Sequence, residues 1–325
     1  MRLLVTGGAG YIGSVVADLL ISQGHDVVVL DDLSTGHADA VPAGAAFVTG
    51  SIRDDAADIL ASGIDAVLHF AAKSLVGESV AHPDRYWQGN LGGTLALLEA
   101  MRATGTRRIV FSSTAAVYGE PEQVPIPESA PARPASPYGA SKMAVDTALS
   151  EMARLHGTGA VSLRYFNVAG AHRGRDGQWF GERHHPETHL IPNILAIAAG
   201  GEPGATVRIF GGDYPTPDGT CVRDYIHVTD LAHAHLLALA ACTPGEHRVY
   251  NLGSGTGFSN LEVLTVCREV TGHELPARTE GRRPGDPAVL VASSARIHTD
   301  LGWQPERGLK EMVADAWAVS GERPR

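Results

Sequence analysis

Tyr138 and Lys142 lie four positions apart, and their side chains are of types that transfer or stabilise a proton. On a helix this spacing places both on one face, about one turn apart. A phenol with a reference pKa of about 10 is a poor base at neutral pH, and a nearby ammonium stabilises its phenolate and lowers that pKa. The pair therefore predicts a tyrosine base with a lysine partner, although the same spacing also fits a packed aromatic residue beside a surface charge.

A short run of hydroxyl side chains ends at Thr114, directly after an apolar run that we expect to be a buried strand. In open α/β sheets, ligands bind at the carboxyl ends of the strands. A hydroxyl at that edge is able to bridge a substrate and the tyrosine, so Thr114 is a third candidate catalytic residue. A threonine in this position is also commonly a cap at a strand end.

Three glycines, Gly7, Gly10 and Gly13, follow the first apolar run and open the first predicted helix. Their missing side chains let the backbone approach a pyrophosphate, whose charge is met by free N–H groups at the helix start. Asp31 and Asp32 follow about 20 residues later, where a carboxylate accepts hydrogen bonds from an adenosine ribose. A 2′-phosphate would be repelled there, so the pattern favours NAD over NADP.

Predicted strands and helices, which position these residues, alternate along the first half of the chain. Short apolar runs rich in β-branched or aromatic residues predict buried strands at residues 3–6, 27–30, 66–70, 109–112 and 161–165. Apolar residues at helical spacing predict helices at residues 13–22, 86–103 and 141–156. The alternation predicts an α/β fold with a Rossmann-type doubly wound parallel sheet.

The composition changes after about Gly170 to loops rich in glycine, proline and histidine. This change predicts a second region. We expect a dinucleotide-binding domain at residues 1–171, rejoined by parts of residues 222–255, and a smaller α/β lobe at residues 172–325, interleaved with it. The runs expected to return to the main sheet are a helix at residues 230–242 and a strand at residues 249–252.

The composition of the 325-residue chain, 44% hydrophobic and 19% charged, is that of a folded globular protein. Its 26 basic and 36 acidic residues give a formal charge of −10, which disfavours nucleic acid or an anionic membrane as a partner. Three cysteines without CxxC spacing argue against a disulfide framework. Without an apolar run of membrane-spanning length or an export signal, we expect a cytoplasmic protein.

These features, in this order, resemble the extended short-chain dehydrogenase/reductase family and, within it, the UDP-glucose 4-epimerases. The resemblance runs almost end to end, and its most specific parts are the stretches DYPT, DGT and VRDYIHV. The segments that carry it are residues 7–13, 69–72, 76–79, 136–142, 163–167, 210–216, 218–220, 222–228 and 250–253.

The resemblance implies an NAD cofactor, a UDP-sugar bound by the smaller lobe, and catalysis by Tyr138 as base with Lys142 and Thr114. It implies cofactor contacts at Gly7, Gly10, Tyr11, Ile12, Gly13, Asp31, Asp32, Ser51, Ile52, Phe70, Ala71, Ala72, Asn90, Ser112, Tyr138, Lys142 and Tyr165. It implies substrate contacts at Thr114, Tyr138, Phe166, Asn167, His189, Leu190, Arg208, Phe210, Arg223, Arg283 and Asp286.

The activity implied is a redox-neutral inversion at C4 of UDP-glucose or UDP-galactose, through a 4-keto sugar, in galactose metabolism or in the supply of cell-surface sugars. A homodimer is also implied, with the helices predicted at residues 86–103 and 141–156 in its bundle. Epimerases of UDP-N-acetylhexosamines, UDP-pentoses or UDP-uronates stay open. A nucleotide-sugar dehydratase is less favoured, because the acid pair that such enzymes carry after the hydroxyl run is replaced by Ala115 and Ala116. A non-catalytic NAD sensor is the remaining alternative.

Several residues depart from the family pattern. Ser51 stands where the family usually has an aspartate that holds the adenine, and its hydroxyl is a weaker partner than a carboxylate. Lys73 lies one position before the place of a lysine near the cofactor in some members, and Ser74 takes that place. Leu290 aligns with a residue that gates N-acetylated sugars and leaves their acceptance undecided.

Histidines at positions 172, 184, 185 and 189 raise the question of a metal. The run shows neither a convincing HxxxH helix nor a set of carboxylates, and the implied reaction requires no Lewis acid. We therefore expect a solvated loop and no metal, with only His189 assigned to the substrate by the resemblance.

Overall fold

The computed structural model describes residues 1–201, 204–283 and 285–322, so residues 323–325 of the predicted smaller lobe lie outside the described residues. Its strands are β1 (Arg2–Thr6), β2 (Asp26–Asp31), β3 (Ala46–Thr49), β4 (Ala66–His69), β5 (Arg108–Thr114), β6 (Gly159–Tyr165), β7 (Asn167–Ala169), β8 (Ala171–Arg173), β9 (Trp179–Gly181), β10 (Val207–Phe210), β11 (Val222–His227), β12 (His247–Leu252), β13 (Gly257–Ser259), β14 (Ala277–Glu280) and β15 (Val289–Leu290). Its α-helices are α1 (Tyr11–Ser22), α2 (Ala56–Ala61), α3 (Val76–Ala81), α4 (Pro83–Tyr86), α5 (Gly93–Thr104), α6 (Pro137–His156), α7 (Leu190–Ala198), α8 (Val228–Ala240), α9 (Asn260–Thr271), α10 (Ala295–Leu301) and α11 (Leu309–Glu322).

A seven-stranded sheet in the order β12-β6-β5-β4-β1-β2-β3 forms the centre of the molecule, and every pair in it is parallel. Its inner strands are continuous runs of buried residues, which is typical of a parallel sheet covered on both faces. Because all strands run the same way, the carboxyl ends of β1, β2, β4, β5 and β6 meet at one edge. The α/β fold with a Rossmann-type parallel sheet is confirmed.

Helices bury both faces of this sheet. On one face, α1 and α8 supply side chains such as Val16, Leu20 and Leu231 to a core shared with β1, β2 and β12. On the other face, α2, α5 and α6 supply side chains such as Leu97 and Leu149. The spacing of these apolar residues is what makes each helix amphipathic.

A separate apolar core lies under α7, α9 and α11, with β10 and β11 contributing to it. Around it are small sheets: β10 pairs with β14, β8 with β9, and β11 with β7, β13 and β15. The chain then returns, because β12 pairs with β6 throughout its length and contains the strand predicted at residues 249–252.

The predicted helix at residues 86–103 differs in the structure. It is divided into the end of α4, a π-helix over Trp87–Gly92, and α5. Gly93, directly after the π-helix, packs closely on Ile52, since a Cβ there would lie 2.7 Å from Ile52 Cδ1. Within the π-helix, the carbonyl of Gln88 accepts a hydrogen bond from the Arg53 guanidinium. Hydrophobic spacing alone does not distinguish these helix types. No helix in the described part of the chain is long and apolar enough to cross a membrane.

Candidate active site

The glycine turn after β1 is packed so closely that only glycine fits at two of its positions. Gly7 has φ +72°, and a Cβ there would lie 2.5 Å from the backbone nitrogen of Ala71. A Cβ at Gly13 would lie 2.2 Å from the carbonyl oxygen of Gly7. Gly10 caps α1 without a side chain, which leaves the first-turn N–H groups, including those of Tyr11 and Ile12, to a ligand. The cradle fits a pyrophosphate.

Two of the predicted cofactor residues beside this cradle also serve the fold. Tyr11 donates its hydroxyl hydrogen to the carbonyl of Gly170 at 2.7 Å, so this side chain ties the start of α1 to the loop after β7. Asp31, buried at the end of β2, accepts the N–H groups of Ala9 at 3.0 Å and Leu33 at 2.9 Å. Burial raises the pKa of the Asp31 carboxyl, and these two hydrogen bonds oppose the shift.

Asp32 is exposed beside Asp31, and its carboxylate accepts the N–H of Ser34 at 2.9 Å. The structure therefore places two carboxylates at the end of β2. The buried one shapes the glycine turn, and the exposed one faces solvent at the edge where a ribose is expected.

Ser51, at the end of β3, lies among carboxylates that sequence reasoning did not consider. Its hydroxyl donates to Asp54 at 2.8 Å, and its N–H donates to Asp55 at 2.8 Å. Ile52, the other predicted adenine neighbour, packs against Gly93. The hydroxyl predicted as a weak partner is thus oriented by Asp54, and the signal was the Asp54-Asp55 pair immediately downstream.

Tyr138 is the second residue of α6, whose start is fixed by local sequence. Ser136 caps the helix by accepting the N–H of Gly139 at 3.2 Å, and Pro137 occupies the first helical position. Burial raises the pKa of Tyr138, and a side-chain hydrogen bond with Thr114 acts in the opposite direction. The base and the hydroxyl predicted beside it are therefore brought together.

Lys142 lies one turn further along α6 and is only 3% exposed. Its Nζ donates to the carbonyl of Ser112 at 2.8 Å and lies 4.8 Å from the centroid of the Phe111 ring. Burial lowers the pKa of Lys142 to about 7, against the attraction of Asp146. The expected lowering of the Tyr138 pKa by a lysine is not what the structure shows, because burial favours the neutral form of both groups.

Thr114 contacts the predicted base and also caps a turn at the strand end. Its hydroxyl hydrogen-bonds Tyr138, and its Oγ1 also accepts the N–H of Ala116 at 3.1 Å, capping the short 3₁₀ turn after β5. Sequence reasoning missed Tyr86, whose ring packs edge-on to that of Tyr138 with centroids 6.3 Å apart. The Tyr86 hydroxyl donates to the carbonyl of Leu75 at 2.7 Å, which fixes this packing.

Asn90, predicted to contact the cofactor, is engaged within the protein. From the π-helix its side chain accepts the N–H of Lys73 at 2.8 Å and donates to the carbonyl of Lys73 at 3.0 Å and to Ser141 at 3.2 Å. It therefore fastens the loop after β4 to α6. The Lys73 side chain lies against Gly89, with its Cε 3.9 Å from a Cβ built there.

The remaining predicted cofactor residues line the strand ends. Ser112 and Tyr165 share a hydrogen bond between their hydroxyl groups across β5 and β6. The ring of Phe70 packs on that of His235 with centroids 4.8 Å apart. Ala71 and Ala72 follow in the same loop, and Ala71 supplies the backbone nitrogen that closes on Gly7.

Predicted substrate residues on β10 and the loop before β15 form a cationic and aromatic group. The guanidinium carbons of Arg283 and Arg208 lie 4.0 and 5.0 Å from the Phe210 ring centroid. Arg223 is paired with Asp286 and donates to the carbonyl of Val222 at 2.7 Å. Arg208 also contacts Glu280 at 3.3 Å. These are the donors that an acidic protein needs to hold a diphosphate.

Other predicted substrate residues lie between the two cores. Asn167 opens β7 opposite Tyr225 of β11. Phe166 and Leu290 pack against a small cluster of Val117, Tyr118 and Ile126, and Leu290 is paired with Arg223 between β15 and β11. The gating position is thus adjacent to a predicted diphosphate ligand.

His189 precedes α7, whose first residue is Leu190, and lies in a cluster that the sequence did not predict. Glu182, His184, Glu187 and His189 bring their ligating atoms within 4.8 Å of one another. Burial alone would lower the pKa of His189, but hydrogen bonds to both glutamates raise it to about 10. Burial alone would raise the pKa of Glu182, and both imidazoles lower it to about 2.

The expectation of a simple solvated loop here rested on the lack of an HxxxH helix and of a set of carboxylates, and on a reaction that requires no Lewis acid. Two of the histidines considered there lie outside the cluster: His172 pairs with Asp18 at 2.9 Å, and His185 is exposed. Glu182 and Glu187 supply the carboxylates that the sequence reasoning found lacking.

Comparisons with known proteins agree with this geometry. Residues 3–253 match the model of the NAD dependent epimerase/dehydratase family. The chain is similar to the UDP-glucose 4-epimerase of Streptomyces lividans, with 55% identity over 100% of this chain and 97% of that protein. It is also similar to that of Corynebacterium glutamicum, with 52% identity over 98% of this chain and 96% of the other.

Solved structures give the same result. A UDP-glucose 4-epimerase crystal structure superposes with a TM-score of 0.94 at 44% identity, over 100% of this chain and 98% of the other. One from Stenotrophomonas maltophila, with bound NAD and formylated UDP-arabinopyranose, has a TM-score of 0.93 at 40% identity, covering 99% and 98% of the two chains. One from Bifidobacterium longum, in complex with NAD+ and UDP, has a TM-score of 0.92 at 36% identity, covering 100% and 99%.

Proposed function

The chain belongs to the NAD dependent epimerase/dehydratase family, and from this membership we propose that it interconverts UDP-glucose and UDP-galactose by NAD-dependent inversion at C4. The observation that carries the proposal is the hydrogen bond between Tyr138 and Thr114 at the carboxyl edge of the sheet. The next two positions, 115 and 116, are alanines and supply no carboxylate. Relatives that are 43–55% identical over nearly the whole chain carry the same activity in their names.

Elimination of water, the other chemistry of this family, needs an acid beside the leaving hydroxyl. Ala115 and Ala116 form the 3₁₀ turn that follows Thr114, and a methyl group donates no proton. Epimerisation needs only one proton acceptor and donor at the C4 oxygen, which Tyr138 supplies. The same residues argue against a non-catalytic NAD sensor, which has no use for a phenol paired with a threonine hydroxyl at this edge.

The cofactor cradle is the glycine turn, where N–H groups at the start of α1 would hold the pyrophosphate of NAD. Asp31 and Asp32 would hold the adenosine ribose, and the Ser51 hydroxyl, oriented by Asp54, would accept from the adenine amino group. Bound NAD supplies reversible acceptance of a hydride. The chain's own residues must therefore orient the sugar and move one proton at its C4 oxygen.

Tyr138 accepts the proton of the C4 hydroxyl and returns it to the same oxygen after the sugar has turned. Thr114 orients this transfer, because its hydroxyl hydrogen-bonds the phenol. Lys142 donates to the carbonyl of Ser112, and in its protonated form its positive charge would favour the phenolate against the effect of burial.

The nucleotide is held by a different group of residues. Arg223 and Arg283 would donate to the diphosphate, Phe210 would contact the uridine, and Asn167 and the start of α7 complete the set. Because these contacts anchor the UDP part, the pyranosyl ring is free to rotate about its phosphate link and present its other face. Leu290 is paired with Arg223 and would lie beside the sugar, where its size leaves acceptance of UDP-N-acetylhexosamines undecided. Epimerisation of these sugars, of UDP-pentoses or of UDP-uronates is the second candidate function.

A homodimer fits the surface of α5 and α6. A groove of about 420 Å³ between them is lined by apolar side chains and by the polar or charged side chains of Glu99, Arg102, Glu151 and His156. Two of its apolar residues, Leu95 and Leu155, are 46% and 58% exposed. Apolar exposure of this kind marks a contact surface. Replacement of Leu155 by glutamate is expected to give monomers in light scattering, whereas a dimer that persists would exclude this groove as the dimer contact.

The three cysteines are free and buried, which supports a location in the reducing cytoplasm.

The proposed activity is tested by incubating the protein with UDP-glucose, UDP-galactose, their N-acetyl forms and UDP-pentoses, and following the sugars by NMR. We expect an equilibrium mixture of the two hexoses, with deuterium placed on C4 retained in the product. Loss of that deuterium to water would contradict hydride return, loss of the C6 hydroxyl would reveal a dehydratase, and no change in any sugar would leave the NAD sensor.

A further inference from the structure

We propose that Glu182, His184, Glu187 and His189 form a divalent-metal site, and that Zn²⁺ is the cation it fits best. The four residues lie in the segment 182–189, between the end of β9 and the start of α7. The site is separate from the proton-transfer residues of α6, but it includes His189, which the resemblance assigns to the substrate, and so it adjoins the start of α7.

Distances within the cluster match a small coordination sphere. The Nδ1 atom of His189 lies 2.6 Å from Glu182 Oε1 and 3.2 Å from Glu187 Oε1. The Nδ1 atom of His184 lies 2.9 Å from Glu182 Oε1 and 4.0 Å from Glu187 Oε2. Tetrahedral Zn²⁺ with bonds of about 2.1 Å holds its ligand atoms about 3.4 Å apart. Small shifts of four side chains would therefore place all of them around one ion.

Burial and charge both favour a cation at this place. The side chains of Glu182 and Glu187 are only 7% and 19% exposed. Two carboxylates in a partly buried space need positive charge beside them. One divalent ion with two neutral imidazoles and two carboxylates is electrically neutral. Two imidazole nitrogens favour Zn²⁺ over Ca²⁺ or Mg²⁺, which prefer oxygen ligands.

Neighbouring contacts show what the ion would fasten. Arg183, between two of the ligands, forms a bidentate ion pair with Asp39 at 2.8 Å for each bond, and its carbonyl oxygen lies 2.9 Å from His37 Nε2. Glu187 Oε1 accepts the backbone N–H groups of Thr188 and His189, both at 2.8 Å. A metal at the four ligands would thus tie the entry of α7 to the loop after β2. Its role is structural.

The test is to incubate the full-length protein with zinc chloride, remove free metal by gel filtration, and measure bound zinc by mass spectrometry. We expect about one zinc per chain for the wild type. His184→Ala is expected to reduce the bound zinc at least tenfold. The matched control is His185→Ala, which removes the adjacent exposed imidazole and should keep the zinc.

Cobalt chloride gives an independent readout, because tetrahedral Co²⁺ with mixed nitrogen and oxygen ligands absorbs visible light. Glu187→Gln keeps the shape of the side chain and is expected to weaken binding at least tenfold with an unchanged circular dichroism spectrum, so the test does not depend on the folding of the alanine variant. Wild-type protein that binds neither metal, or a His184→Ala protein that binds as much as the His185→Ala protein, would overturn the proposal. Since no turnover is measured, these results are independent of the epimerase proposal.

Discussion

The edge of the main sheet and the smaller lobe handle charge in opposite ways. At the sheet edge, burial raises the pKa of Tyr138 and lowers that of Lys142 to about 7, so both groups are driven towards their neutral forms. In the lobe, Arg223 is paired with Asp286 and Arg282 with Asp213, so the guanidinium groups stay charged and each has a carboxylate beside it.

This difference follows from what each region is proposed to hold. Burial raises the pKa of the Tyr138 phenol and lowers that of the Lys142 amine, so neither group carries a fixed charge where a proton has to move. A diphosphate keeps its charge throughout and needs donors that never lose theirs, which is the property of arginine. The two regions should therefore respond differently to mutation: loss of turnover at the sheet edge, and loss of substrate affinity in the lobe.

The largest effect is expected from Tyr138→Phe, which removes the base and retains the packing against Tyr86. Turnover of UDP-glucose should fall by about 10²–10⁴-fold with little change in KM, because general base catalysis contributes about that much. Tyr250→Phe is the matched control. The Tyr250 hydroxyl donates to Asp300 at a distance of 3.1 Å and is not part of the candidate active site. Equal turnover in the two variants would remove Tyr138 from its assigned role.

Next in size is Arg223→Ala in the lobe. Loss of a charged donor and of the partner of Asp286 should raise KM about 10- to 100-fold, since hydrogen bonds to charged groups contribute about 1.5–3 kcal/mol. The turnover number should change much less. Arg278→Ala serves as the control, because this arginine is 61% exposed and pairs with Glu280. A fall in turnover without a rise in KM would show that Arg223 acts in the same way as the residues at the sheet edge, and would contradict the assignment of substrate affinity to the lobe.

A pH-dependent effect is expected at Lys142. Its pKa of about 7 in the folded protein is below its usual value of about 10.4, so between these values the unfolded chain binds more protons. Stability contributed by this group therefore rises with pH from about 7 to about 10, by at most about 1.4 kcal/mol per pH unit. Urea unfolding of the cofactor-free protein at pH 7, 8 and 9 should show this rise, and Lys142→Met should flatten it. An identical slope in the variant would mean that Lys142 keeps its charge when folded.

The smallest effect is expected at the adenine end of the sheet edge. Ser51→Ala removes a hydroxyl that donates to Asp54, and NAD affinity should fall by no more than about tenfold, because a neutral hydrogen bond contributes about 0.5–1.5 kcal/mol. Isothermal titration with NAD measures the change. A much larger loss would show that Ser51 and Asp54 together replace the family's aspartate in full.

Local sequence was sufficient for the parts of the molecule that depend on local rules. The glycine turn and the strand ends follow from chain stiffness and hydrophobic runs, which can be recognised within a few residues, whereas the helix predicted from residue 141 begins four residues earlier, at Pro137. The strands predicted in the first half lie in β1, β2, β4, β5 and β6 for the same reason.

Features that depend on packing were not predictable in this way. The direction of the Tyr138 pKa shift depends on burial, which no spacing of residues reveals. The assignment of Asn90 to the cofactor stays a prediction, but its hydrogen bonds to Lys73 and Ser141 depend on the π-helix, which the sequence pattern did not reveal. The sequence showed no convincing set of carboxylates near the histidines, because only the folded segment 182–189 brings Glu182 and Glu187 beside His184 and His189.

The outermost strand of the main sheet, β12, is separated from its neighbour β6 by residues 166–246. A ribosome that adds about 5–20 residues per second therefore exposes the outer backbone groups of β6 for several seconds before the strand that covers them emerges. Until then β6 is an open edge that can pair with a strand of another nascent chain. Synthesis that halts within the smaller lobe leaves this edge uncovered, so we expect products truncated before residue 247 to aggregate even though the whole glycine turn has been made.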